Sequence, residues 1–138
     1  MSQTKQYICD TNVIVRYLVA DDDRLFKSAQ EFFEEVIQGD KKVVIEQTVF
    51  IEVVFVLSSY YQVPRSKIAD SLSALLQYKG VAVASGSKYL LDALKLYAST
   101  LLHIVDCILV TRAKSAELEL FTFDQELKRK YEDYEKHN

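Results

Sequence analysis

Short apolar runs alternate along this chain with longer stretches of helical spacing. The first run, Tyr7-Ile8-Cys9, breaks at Asp10, passes Thr11 and Asn12, and resumes through Val13, Tyr17 and Leu18. That pattern predicts a buried strand handing over to a helix from about Asn12 to Ala20, with an acid left at the strand's C-terminal end. Val43-Val44-Ile45 predicts a second strand, continuous and β-branched as strands covered on both faces are. Val81 to Ala84 predicts a third strand and Leu118 to Phe123 a fourth. Between them, helical spacing follows Asp21-Asp22-Asp23 as far as Val36-Ile37 and stops at Gly39. Further helices are expected from Pro64, from Lys88 to about Leu101, around Asp106 through Lys114, and after Asp124. In a parallel α/β sheet the C-terminal ends of the strands are where ligands bind.

Against this pattern a few charges stand out. Thr48 to Leu57 is apolar all round, which predicts a buried helix, and Glu52 is the one charge inside it. Burying an unpaired carboxylate is costly enough that Glu52 needs a partner, either a basic side chain or a metal. Asp106 interrupts Ile104 to Val110 and falls in the first turn of a helix, where the positive dipole end also accounts for it. Asp124 ends the fourth predicted strand and is either a cap or a ligand, since Thr122-x-x-Gln125 has the spacing of a capping box. Glu46 and His103 each lie near one of these acids. The first is either simple helix-start charge or a support behind the metal ligands, and the second either a hydrogen-bonded spectator or a catalytic residue.

The other polar clusters have plainer explanations. Asp21-Asp22-Asp23 lacks the glycine and terminal Glu of a calcium loop and suits a helix start. Ser85-Gly86-Ser87 has no phosphate-loop pattern around it and reads as a turn. Asp92 lies at helical spacing from Lys88 and Lys95, as a solvated salt-bridge residue would. Cys9 and Cys107 sit inside apolar runs, each next to a key carboxylate, and read as small buried hydrophobes. Neighbouring side chains point apart, so neither is expected to share a ligand site with its acid.

Composition bounds the rest. With 138 residues, 49% of them hydrophobic, and only three Gly and one Pro, the chain reads as one soluble domain over 1–138 that needs no staples. No apolar run reaches the ~18 residues of a membrane span. The polar start Met1 to Gln6 lacks a signal-peptide core, so the expected location is cytoplasmic. Seventeen Lys and Arg against 20 Asp and Glu give a net charge of −3, which argues against broad electrostatic attraction to nucleic acid. A nucleic-acid enzyme of this charge needs metal in its acidic pocket and locally placed cations.

If the sheet is parallel, Asp10, Glu52, Asp106 and Asp124 can converge at one edge of it. Four close carboxylates cannot all stay ionised without compensation, and Mg²⁺ or Mn²⁺ supplies it through oxygen ligands. Such a metal polarises a phosphoryl oxygen and activates a bound water, so no Ser, Cys or His nucleophile is required. Thr11 and Asn12 are placed to orient a ligand carboxylate or water. Arg16, one turn beyond Asn12, either contacts phosphate or pairs with a site carboxylate.

The pieces Asp10-Thr11-Asn12 with the following "VIVRYL", "IEVVFVL" (Ile51 to Leu57), "VDCILVTRA" (Val105 to Ala113) and "FTFD" (Phe121 to Asp124) span nearly the whole chain. In this order they resemble the PIN-domain family of metal-dependent ribonucleases, and most of all its small VapC-type toxins. The resemblance implies a three-layer α/β/α sandwich around a central parallel sheet of four to five strands. It also implies a Mg²⁺- or Mn²⁺-dependent endoribonuclease, a homodimer and an antitoxin partner. Carried over by motif, Asp10, Glu52, Asp106 and Asp124 match the acidic site, and Asn12 and Thr122 its polar support. Thr111 and Arg112 depart from the pattern, standing where small apolar residues are common, and the chain ends in a charged helix with no obvious last strand.

Two other classes compete. One is a PIN-like module that binds RNA or protein without cutting. The other is a different Mg²⁺-dependent phosphoryl-transfer enzyme. A haloacid-dehalogenase-like chain would want a second Asp where Asn12 stands, and a receiver-like chain a paired Asp near the first strand and a Lys after the last.

Overall fold

Three strands form among residues 5–138, the part of the chain that the computed structural model describes. The polar start Met1 to Thr4, which carried most of the argument against a signal peptide, lies outside the described residues. Strand β1 (Gln6–Ile8) pairs parallel with β2 (Lys42–Val44), and β2 pairs parallel with β3 (Val81–Ala82). Parallel neighbours need crossovers, and helices supply them. Helices α1 (Thr11–Val19) and α2 (Asp23–Gln38) join β1 to β2, and α3 (Gln47–Ser59) and α4 (Arg65–Leu76) join β2 to β3. The chain divides into two compact units, one ending at Ser87 and the other beginning at Lys88. All three strands belong to the first.

In that first unit, Val43 and Ile45 are buried together with Phe33 and Val36 of α2, Phe50, Val53 and Val54 of α3, and Ile68, Leu72 and Leu75 of α4. Local signals set the helix ends. Asp22 caps α2 by accepting from the Leu25 N–H at 3.0 Å, and Gly39 ends it in the left-handed region at φ 84°. Gly80 is a position where no larger residue fits, because a Cβ there would stand 2.1 Å from the Lys41 carbonyl oxygen.

The second unit is helical: α5 (Lys88–Ser99), α6 (Ile104–Ser115) and α7 (Gln125–His137). Leu90, Ala93, Leu94 and Tyr97 of α5 are buried, as are Ile104, Cys107, Ile108, Val110 and Ala113 of α6. Thr111, the departure noted above, is buried because its hydroxyl donates to the Tyr89 carbonyl at 2.9 Å. Arg112 lies over the Tyr89 ring, 4.8 Å from its centroid. Asp92 pairs with Lys88 at 3.1 Å, as the spacing predicted.

The strand count is a correction. Four to five strands were expected, the fourth over Leu118 to Phe123, and among the described residues the sheet has three. Glu117 turns the chain into the left-handed region at φ 56°, and the Leu118 N–H bonds back to the Ala113 carbonyl at 2.8 Å, finishing α6. The segment beyond enters no ladder, and Phe121 and Phe123 pack on each other with ring centroids 5.4 Å apart while 83% and 87% exposed. Apolar composition supplies β-propensity, but a strand exists only with a partner backbone. Among the described residues, no helix is long and apolar enough to cross a membrane.

Candidate functional site

Asp10 sits where the sequence places it, between the end of β1 and the start of α1. Its backbone is extended, and its side chain caps the helix, with Oδ1 accepting from the Val13 N–H at 3.2 Å. The carboxylate is exposed at the C-terminal end of a parallel strand. Beside it opens a groove of about 650 Å³ whose lining includes the polar residues Asp10, Asn12 and Arg16. Ile8, Val13, Leu25, Ala29 and Phe32 line its apolar side.

Two groups around this groove have shifted acidities. Cys9 is half-buried, and burial, followed by the charge of Asp10, pushes its thiol up to about 11. It is therefore a neutral thiol at physiological pH, unsuited to serve as nucleophile. Arg16 is the second. Its Nη1 donates to Asp21 Oδ1 at 2.7 Å, while the Tyr61 hydroxyl donates to Asp21 Oδ2 at 2.9 Å. The two hydrogen bonds hold the Asp21 carboxyl below the usual carboxylate range. Of the three acids read as a helix start, only Asp22 caps α2 and Asp23 lies in its first turn. Asp21 instead binds Arg16 and Tyr61.

Glu52 needs a correction. Helix α3 buries Phe50, Val53, Val54 and Leu57, and Glu52 lies exposed on the other side, as does Phe55 at 65%. Solvent reaches the carboxylate, so desolvation does not force a partner upon it. Glu46 stands at the N-cap position of α3 but makes no side-chain cap bond.

In the second unit, Asp106 is half-buried in the first turn of α6, as expected, and His103 is the residue before that helix, exposed and without a side-chain cap bond. Asp124 is the N-cap of α7, with Oδ1 accepting from the N–H groups of Glu126 at 3.0 Å and Leu127 at 3.1 Å. The expected capping box at Thr122 is displaced by two residues: Thr122 Oγ1 accepts the Asp124 N–H at 3.0 Å and so orients the cap residue. Asp10 and Asn12 share one groove. Among the described residues, no three His, Cys, Asp or Glu side chains form a group that could hold a metal ion.

The PIN domain family profile matches residues 7–133 and runs through both units. The chain belongs to the PIN domain family. It is also 25% identical over 123 residues to the VapC ribonuclease of Aquifex aeolicus (strain VF5), a match covering 88% of this chain and 90% of that protein. No solved structure matches it significantly.

Within this PIN domain, sequence reasoning missed Asp21 and Tyr61. Their contact spans 40 positions, and no periodicity or motif announces it. The only signal was an acid more than the α2 start requires.

Proposed function

We propose that this PIN domain is a divalent-metal-dependent endoribonuclease and the toxin of a toxin–antitoxin pair. The observation that carries the reading is the exposed Asp10 carboxylate at the C-terminal end of β1, on one groove with Asn12 and Arg16. Support comes from a relative named as a ribonuclease over nine-tenths of its length.

Asp10, Glu52, Asp106 and Asp124 are the residues proposed to hold Mg²⁺ or Mn²⁺. Their oxygens are the donors hard cations take, and the first, second and fourth are exposed enough to reach an ion without a large desolvation cost. When bound, such an ion supplies a water of lowered pKa and polarises the phosphoryl oxygen. The chain's own residues do the remainder. Asn12 offers an amide at the groove edge, Thr11 stands beside the Asp10 cap, Thr122 fixes the backbone of Asp124, and Arg16 offers a cation to phosphate. Both units are proposed to act as one domain, in a cytoplasmic homodimer inhibited by an antitoxin protein. A second reading is a module that binds RNA or protein without cutting.

The test is cleavage of a labelled single-stranded RNA and of total tRNA with Mn²⁺, Mg²⁺ or EDTA. Asp10→Asn and Asp106→Asn run beside the wild type, each checked for an unchanged melting temperature. Cleavage that requires metal and is lost in both folded variants is expected. A folded wild type that cuts neither RNA and shows no metal-dependent shift in melting temperature overturns the reading in favour of the binding module.

A further inference from the structure

We propose that Asp21 and Tyr61 are positioning residues that hold the Arg16 guanidinium at the groove edge, where it receives a backbone phosphate of single-stranded RNA. The inference rests on the ribonuclease reading above and adds to it the residues that place the phosphate contact.

Arg16 stands four positions after Asn12 on α1, so the two share a helix face and both line the groove that holds Asp10. An exposed Arg–Asp pair alone is weak and mobile. Here the pair is braced by a third group from a distant part of the unit. Asp21 precedes α2 and Tyr61 follows α3, and the two donors take different oxygens of the Asp21 carboxylate, Arg16 Oδ1 and Tyr61 Oδ2. The Tyr61 oxygen also lies 3.5 Å from Arg16 Nη1, closing a three-membered cluster. The bonds to Asp21 and Tyr61 all fall on Nη1, and a guanidinium is a rigid planar fork of five donors, so fixing one nitrogen fixes the direction of the rest. Asp21 keeps Tyr61 protonated by accepting its hydrogen bond, so the brace persists through the neutral range.

Charge explains why one placed cation matters. The chain carries net −3, and the groove edge itself bears Asp10, which repels phosphate. Attraction must then come from particular side chains and not from the surface as a whole.

The test uses a 5′-labelled single-stranded RNA oligonucleotide. Binding is measured across a salt series in an Asp10→Asn background, and kcat and KM in the otherwise wild-type chain. Arg16→Ala is expected to weaken binding about tenfold, the effect of losing a charged hydrogen bond. It should also reduce the slope of log K against log salt by about 0.7, one phosphate's share on a single strand. Tyr61→Phe is expected to weaken binding about threefold, with KM moving more than kcat, and to add nothing in the Arg16→Ala background. Arg16→Lys keeps the charge without the fork, so it should retain the slope and lose affinity. Variants that lower only the melting temperature, with RNA affinity and salt slope unchanged, show a structural staple and overturn the inference. So does a Tyr61→Phe penalty that adds in full to that of Arg16→Ala. A wild type that cuts RNA while Arg16→Ala cuts it equally well sinks this inference alone. A wild type that neither binds nor cuts RNA in the presence of metal sinks the ribonuclease reading and this with it.

Discussion

Asp10 and Asp124 hold the same post in the two units, and they are tied differently. Each has extended backbone, caps the helix after it and leaves its carboxylate exposed. Asp10 accepts one backbone N–H at 3.2 Å, and the segment before it is a strand in a parallel sheet. Asp124 accepts two, at 3.0 and 3.1 Å, and the segment before it joins no sheet. A cap needs only a short acid and a helix start. A position at the end of a sheet also needs a ladder, and only the first unit has one. The resemblance of the two acids in sequence therefore concealed a difference in what fixes them.

The largest effect separates core from surface. Phe33→Ala in the first unit removes a fully buried ring and is expected to cost about 3–5 kcal/mol in denaturant unfolding. Phe123→Ala in the second removes a ring 87% exposed and should stay within about 0.5 kcal/mol. A Phe123→Ala cost comparable to that of Phe33→Ala would mean that the Phe123 ring is buried in solution.

The caps come next. Asp124→Ala is expected to destabilise by about 1–2 kcal/mol and Asp10→Ala by about 0.5–1, in proportion to the bonds each makes. Asn caps nearly as well as Asp, so Asp10→Asn and Asp124→Asn should hold stability while the proposed cleavage is lost. Equal costs for the two alanine variants would erase the distinction drawn between them.

What the sequence made legible was local. Strand, acid and helix follow one another from Tyr7 to Leu18, Gly39 ends α2, Asp106 lies in a first turn, and Lys88 meets Asp92, because each depends on neighbours within a few positions. What it concealed depended on distant partners. Helix α3 is apolar on every side, so its pattern does not say which side is covered, and the structure leaves Phe55 exposed along with Glu52. The Leu118 to Phe123 run has the composition of a strand but pairs with no backbone among the described residues. Asp21 meets Tyr61 across two intervening helices, α2 and α3. The candidate site shares this division: the local settings of Asp10 and Asp106 are readable, whereas the exposure of Glu52 and the unpaired segment before Asp124 are not.

The smallest effect concerns the two thiols, each beside a candidate acid. Cys107 is fully buried on α6, whereas Cys9 is half-buried next to Asp10 and its thiol is pushed from the ordinary 9.0 up to about 11. The folded chain keeps that proton to higher pH than the unfolded chain does. Cys9 therefore contributes stability below pH 9 that is lost as pH rises toward 11. Reactivity follows the thiolate, so a maleimide or iodoacetamide should label neither cysteine quickly at pH 8, and labelling of Cys9 should accelerate toward pH 11 while Cys107 stays protected. Asp10→Asn removes the smaller of the two causes and should bring the Cys9 rise to lower pH, leaving the burial contribution in place. Rapid labelling of Cys9 at pH 8 in the folded wild type would show that this end of β1 is more open than its half-buried neighbour implies. The contrast between an Asp10 framed by a sheet and an Asp124 held by its cap bonds alone would then lose its footing.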